Sequence, residues 1–220
     1  MTLDTSLPQL RVITHSFIRL EGSDGTVIYV DPYRAEDTPH DATFVLITHA
    51  HFDHFSPEDI DAVKNSTTTL VAPASMAGDV ARACIGEGVH LVEPEQTLQL
   101  GPLTIEAAPA YNTDPSRLGK HPQSNGWLGY VVTLDGIRYY VAGDTDQGPE
   151  NSRVACDVAL VPIGGTYTMD ALQAAAFVND LKPQVAVPIH FGCLVGTAAD
   201  AETFAQHVNP SIDVVRKTER

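Results

Sequence analysis

Ten residues, Leu46-Ile47-Thr48-His49-Ala50-His51-Phe52-Asp53-His54-Phe55, limit what this chain can fold into more than any other stretch. Three histidines and an aspartate fall within six positions, directly behind the apolar run Phe44-Val45-Leu46-Ile47. Such a run reads as a buried strand. The polar cluster then lies at the strand's C-terminal end, where binding residues of layered α/β folds collect. In an extended backbone, residues two apart point the same way, so His49 and His51 can converge on one cation. Asp53 and His54 are neighbours and diverge, which suits a second cation beside the first. Neutral imidazole and carboxylate are ligands that Zn²⁺ accepts, and a mixed N/O set also suits Mn²⁺ or Fe²⁺. A polar loop without a dedicated use would gain nothing to offset the cost of this cluster beside a buried strand. Next, Ser56-Pro57-Glu58-Asp59 predicts a helix start: Ser56 can cap, Pro57 suits the first helical position, and the two acids complement the positive end of the dipole.

The order strand, metal loop, helix carries a resemblance. Thr48-His49-Ala50-His51-Phe52-Asp53-His54 resembles the T-H-x-H-x-D-H signature of the metallo-β-lactamase superfamily. The resemblance implies an α/β fold, the four-layer αβ/βα sandwich of that superfamily. The rest of the chain agrees with it. At 220 residues it can build one sizeable core, which predicts a single domain over residues 1–220. Thirteen basic against 28 acidic residues leave a formal charge of −15, which argues against nucleic acid or an anionic membrane as the main partner. An anionic small substrate stays compatible, because metal cations reverse the local field. The cysteines, Cys84, Cys156 and Cys193, are odd in number and show no C-x-x-C spacing, so a reducing cytoplasm is the simplest fit. No signal peptide or membrane span is expected from the sequence, and assembly with a second copy stays open.

Along the chain, Val12 to Leu20 reads as one weakly alternating strand with His15 inside it, followed by a turn at 22–25. Thr26 to Val30 is the next strand and ends in Asp31-Pro32; Asp31 could orient metal ligands from behind, and His15 is either a core histidine or part of the same support. A strand at 69–72 and a helix from Ser75 to Cys84, stopping at Gly86, follow. Hairpins are predicted at 98–107 and at 130–141, the second around Asp135-Gly136. Short buried strands at 158–162 and 185–189 flank an Ala-rich helix from Met169 to Asn179, for which Thr168 is the cap. Ala198 to His207 is the last helix. Two sheets with helices on their outer faces satisfy this pattern.

Two further stretches repeat the logic of the first. Gly143-Asp144 puts a carboxylate just past one strand, and Ile189-His190 puts a histidine just past another. Each alone is an ordinary polar strand end. Together with His49–His54 they match the later superfamily motifs in order, and the resemblance implies that Asp144 bridges two metals and His190 completes the second site. Many relatives carry a histidine where this chain has Asn112, in Ala110-Tyr111-Asn112. The amide is the weaker ligand, and the chain resembles a branch with Tyr-Asn here and a His-Pro after it, so His121 of Lys120-His121-Pro122 is expected to supply the third imidazole. The long loop from Tyr111 to Asn125 is expected to bind substrate, with Tyr111, Asn112 and Lys120 as contacts and Arg117, Lys120 and His121 concentrating positive charge for an anion. Gly164-Gly165-Thr166-Tyr167, before a helix N-terminus, adds Tyr167 and a second place for an anion.

These readings converge on a metal-dependent hydrolase similar to the small single-domain enzymes grouped with L-ascorbate-6-phosphate lactonase. Two divalent ions, with Zn²⁺ first and Mn²⁺ or Fe²⁺ as alternatives, would activate water. Asp53 and Asp144 are the expected catalytic carboxylates, and the substrate is a small anionic lactone, ester or phosphodiester. Two other classes fit the same motifs: an iron-dependent redox member of the superfamily, and a metal-binding or ligand-sensing module without catalysis.

Overall fold

The computed structural model describes residues 3–83 and 88–218. The first sheet comes from the first part of the chain: β1 (Leu10–Thr14), β2 (Phe17–Glu21), β3 (Val27–Val30), β4 (Phe44–Leu46), β5 (Thr69–Pro73) and β6 (Val89–Val92) lie side by side in chain order. β1 to β3 are antiparallel, and β3 to β6 are parallel. The second sheet holds β7 (Thr97–Leu100), β8 (Leu103–Pro109), β9 (Leu128–Leu134), β10 (Ile137–Val141), β11 (Val158–Pro162), β12 (Val185–Ile189) and β13 (Asp213–Val214), again in chain order. It too begins antiparallel, through β10, and finishes parallel. Parallel neighbours need crossovers, and helices supply four of the six: α1 (Pro57–Val63), α2 (Ala77–Arg82), α3 (Ala171–Leu181) and α4 (Ala198–His207); β3–β4 and β10–β11 are joined by segments without an α-helix among the described residues.

Strand alternation sorts the apolar side chains into three cores. Ile28 and Val30, Phe44 and Leu46, Leu128 and Tyr130, Val158 and Leu160, and Val185 and Val187 meet between the sheets. The intervening residues face outward. Tyr29, Val45, Leu70 and Ala72 pack beneath Ile60 and Val63 of α1 and Val80 of α2. Tyr140, Ala159, Val161 and Ala186 pack beneath Phe177 and Val178 of α3 and Phe204 of α4. The order helix, sheet, sheet, helix is the αβ/βα sandwich expected from the sequence.

Several local expectations need correction. Val12–Leu20 is a hairpin, with Thr14 opposite Phe17 and His15 at its tip at φ +51°, a left-handed conformation that ends a strand. Helix α3 starts later than expected. Asp170, not Thr168, caps it, because its carboxylate accepts from Gln173 N–H while the Gln173 side chain accepts from the Asp170 N–H. A turn of 3₁₀ helix, Ala74–Met76, precedes α2, and the expected end of that helix at Cys84 and Gly86 lies outside the described residues. β6 and β13 were invisible in the pattern: His90 and Leu91 are exposed in β6, and β13 has two residues.

Candidate metal centre

The ends of the strands place the chemistry. β1, β3, β4, β10 and β12 run out at one edge of the sandwich, and His15, Asp31, His49, Asp144 and His190 follow them within one to three residues. The backbone there is shaped for the purpose. His15, Asp31 and His190 all have φ between +48° and +58°. Residues with a Cβ adopt that region at a cost, and such residues gather at functional sites. Gly143, at φ +67°, passes so close to β9 that a Cβ would lie 2.8 Å from the Leu128 carbonyl, and one on Gly129 would lie 2.5 Å from that of Ala142. Glycine at both positions lets the segment carrying Asp144 press against its neighbour. Tyr130 donates to the Ile47 carbonyl at 2.7 Å and Leu128 N–H to that of Thr48 at 3.0 Å, tying the metal loop of one sheet to the other.

Two sets of side chains converge. His49, His51, His121 and Asp144 form one, and His15, Asp53, His54 and His190 the other; within each, the candidate ligand atoms lie within 4.8 Å of one another. Asp144 stands between the sets. Its Oδ2 is 3.2 Å from His121 Nε2 and 3.1 Å from His190 Nε2, and its Oδ1 is 3.5 Å from His54 Nε2. Asp53 Oδ2 is 3.2 Å from His15 Nε2, 3.6 Å from His54 Nε2 and 3.7 Å from His190 Nε2. His15 therefore reaches the second set itself, and its carbonyl accepts from the His190 N–H at 3.0 Å.

Behind the ligand atoms lies a layer that aims them. Asp31, fully buried, accepts from Thr48 N–H (2.8 Å) and Thr48 Oγ1 (2.6 Å) and pairs with His54 Nδ1 (2.7 Å). That bond leaves His54 Nε2 facing inward. Asn112 does the same for His121: its Oδ1 accepts from the His121 N–H at 3.1 Å and lies 2.9 Å from Nδ1, so Nε2 turns toward Asp144. Asn112 is thus not in the cleft, and its amide N–H₂ donates to the Tyr167 carbonyl. Tyr111 is also turned away, its hydroxyl donating to Glu150. Both were expected to touch substrate; the loop folds over them because Asn112 is paired with His121 and Tyr111 with Glu150. Lys120 and Tyr167 do line a cleft of about 380 Å³ above His51, Asp53, Asp144 and His190.

Sequence reasoning passed over Asp146. Its Oδ2 accepts from the N–H groups of Thr113 and Asp114, and its Oδ1 from Arg117 at 2.7–2.8 Å, so it anchors the loop that brings in His121. A second acid two residues after Asp144 was the available signal. Arg117 was expected to serve an anion; it is buried and committed to Asp146 and Gln173. Trp127, the chain's single tryptophan, stands 4.9 Å from the rings of His49 and His51 and 5.7 Å from that of His121.

The residues fit divalent cations. His54 Nε2, His121 Nε2, His190 Nε2 and Asp144 Oδ1 are buried without a hydrogen-bond partner, all in one place. Buried polar atoms are ordinarily paired, and a cation satisfies several at once. His49 Nε2 and His51 Nδ1 are 3.1 Å apart, a distance that requires a proton or a cation between two nitrogen lone pairs. The electrostatics of these side chains point the same way. Burial works against the charged forms of His190 and His54, yet the Asp144 carboxylate overrides it, raising His54 and holding His190 up at about 10. Asp144 lies well below the usual carboxylate range: burial alone would raise it, but the His190 and His54 charges prevail. His49 is pushed down by burial and by His54. Burial likewise lowers His15 to about 4, against its bond to Asp53. Burial raises Asp31, with His54 opposing.

Residues 25–191 match the model of the beta-lactamase superfamily domain. With this fold and this histidine–aspartate centre, the chain is a metal-dependent hydrolase of the metallo-β-lactamase superfamily. Within it, the chain belongs to the UPF0173 metal-dependent hydrolases: it is 32% identical over 213 residues to the member from Methanosphaerula palustris, covering 91% of each. Among solved structures it is similar to a candidate metal-dependent hydrolase from Parabacteroides distasonis, at 30% identity and TM-score 0.80, over 96% of this chain and 93% of that one. The metallo hydrolase Igni18 of Ignicoccus hospitalis is similar at 25% identity and TM-score 0.75, over 96% and 95% of the two chains. Among the described residues no helix is long and apolar enough to cross a membrane.

Proposed function

We propose that this chain opens a small lactone or ester with two divalent cations held in the two ligand sets. His49, His51 and His121 would hold the first, Asp53, His54 and His190 the second, with Asp144 shared and His15 beside the second. Zn²⁺ suits the imidazole-rich first set best. When bound, such cations lower the pKa of water toward about 7 and polarise a carbonyl or phosphoryl oxygen. The observation that carries this reading is the group of buried, unpartnered nitrogens and oxygen that face one another beneath an open cleft. A structural metal site would be closed by protein on every side.

The chain's own residues have distinct tasks. Asp31 and Asn112 fix the tautomers of His54 and His121. Lys120 faces the cleft and positions a negative group of the substrate or product. Asp53, at the cleft floor, is a ligand in the fully loaded centre; with one position unfilled it would instead take a proton from water as the water oxygen bonds to the acyl carbon. It returns that proton to the leaving oxygen as the ester C–O bond breaks, so lactone and water give a hydroxy acid. A phosphodiester would use the same groups.

Hydrolysis of a panel of lactones, carboxylic esters and phosphodiesters tests this. Chelation should remove turnover, added Zn²⁺ or Mn²⁺ should restore it, and His51→Ala should behave like chelation while the folded circular dichroism spectrum persists. A chelated protein that unfolds outright, with no substrate turned over under any metal, would overturn the catalytic reading.

A further inference from the structure

We infer that the cleft selects a substrate with an apolar body and at most one negative charge, and disfavours phosphate monoesters. The first ground is the rim. Among the described residues six large hydrophobic side chains are exposed, and three of them stand together here: Phe52 (67% exposed), Tyr167 (41%) and Leu194 (39%). Single exposed hydrophobics are ordinary, but a contiguous apolar lip over a polar floor marks a binding surface. Val195 continues it, and Phe52 packs edge-on against Tyr33 at 6.0 Å.

The second ground is charge. Among the described residues Lys120 is the one lysine or arginine lining this cleft, and its Nζ lies 5.3 Å from the centre of the Tyr167 ring. Recognition of a phosphate monoester uses several donors, commonly a bidentate arginine. Arg117, the nearest candidate in the loop, is buried on Asp146. The third ground is the start of α3, which follows the Gly164–Tyr167 segment. A helix N-terminus can hold an anion, but Asp170 already occupies the Gln173 N–H there. One ammonium is matched to one carboxylate or to the carbonyl dipole of a lactone. A volume of about 380 Å³ accommodates a small acyl or alkyl group along the lip.

This inference takes only the word substrate from the hydrolase reading, so it is tested by binding as well as by turnover. Butanoate, hexanoate, octanoate and inorganic phosphate are titrated calorimetrically into the full chain, metal-free and Zn²⁺-loaded. The dissociation constant should fall about threefold per added methylene, somewhat less than the roughly fourfold of complete burial. Octanoate should bind at least tenfold more tightly than phosphate in the metal-free protein. Phe52→Ser and Leu194→Ser, both at exposed positions, should flatten the chain-length dependence, whereas Lys120→Gln should weaken all the alkanoates alike and keep the slope. In the turnover arm, alkyl-substituted lactones should outrun a phosphorylated sugar lactone. Affinity independent of chain length, or phosphate bound more tightly than octanoate by the metal-free protein, overturns the inference whatever the activity. Chain-length-dependent binding with no ester or lactone turnover upholds it and counts instead against the hydrolase reading.

Discussion

Replacing Asp31 by asparagine isolates the support of the metal centre from the centre itself. The carboxylate takes three bonds of 2.6–2.8 Å, two from Thr48 and one from His54 Nδ1. Asparagine has one oxygen, and whichever way the amide is turned, its N–H₂ faces at least one of those donors. A buried donor that loses its acceptor costs about 1–3 kcal/mol. Removing the buried negative charge returns part of that. The backbone does not confuse the result, because φ is +48° at Asp31 and asparagine tolerates the left-handed region. A net loss of about 2 kcal/mol corresponds to a fall in Tm of roughly 4–8 °C for a chain of this size. The larger effect should be on the cations. With His54 no longer held by a carboxylate, Zn²⁺ affinity should drop about 10–100-fold. Competition with a calibrated chelator measures the affinity, Trp127 fluorescence gives a second signal, and thermal unfolding of the metal-free protein measures stability. If D31N holds Zn²⁺ within twofold of the parent chain, the idea that Asp31 aims His54 is wrong.

Three more outcomes are expected. Asp146→Asn should leave the buried Arg117 guanidinium with only Asp114, 3.7 Å away, as a charged partner, destabilise the protein by at most about 3–5 kcal/mol, and admit protease cleavage between Thr113 and Lys120; thermal unfolding and limited proteolysis check both. Metal loading at pH 7 should release roughly one to two protons, because His54 and His190 have raised pKa values in the metal-free site and must shed those protons to become ligands, so loading weakens as pH falls; calorimetry in buffers of different ionisation enthalpy counts them. Burial pushes the Cys156 thiol up to about 12, so the folded state keeps that proton where the unfolded chain, near 8.5, loses it: the associated stability is intact below about pH 8.5 and fades as pH rises, and alkylation of Cys156 at pH 8 should run at least about a hundredfold slower than in urea, read by peptide mass spectrometry.

The residues most legible in the sequence were those whose chemistry and strand context coincide. His49, His51, Asp53 and His54 follow an apolar run directly, and Asp144 and His190 each sit within three residues of one. His15 was harder, because a tight hairpin tip inside Val12–Leu20 leaves the same weak alternation as a single strand. The Asp170 cap was hidden for a similar reason: Thr168 and Asp170 are both good caps, and only the Gln173 reciprocal bond separates them. The loop from Tyr111 to Asn125 was the least legible. Its residue types suggested substrate contacts, yet which of them point inward depends on Asp146, more than twenty residues further on. Long-range pairing of that kind has no periodicity to betray it. The apolar lip was equally silent, since Phe52 and Leu194 are 142 positions apart in the chain and meet only in the folded cleft.

The order of strands has a consequence beyond the site. Everything through β6 builds one sheet, and everything from β7 builds the other, with the short turn at 93–96 the sole covalent crossing between strands of the two. Each segment runs through the same programme: antiparallel strands, then parallel ones whose later connections are helices. Each also stops short of a complete metal centre. The amino-terminal segment owns His15, Asp31 and His49 to His54, and the carboxy-terminal one owns His121, Asp144 and His190. Either set of ligands therefore spans the seam. Cations held there would act as a rivet between two lobes of similar strand pattern, so a change that loosens the seam beneath the ligands would reach the chemistry without touching one of them.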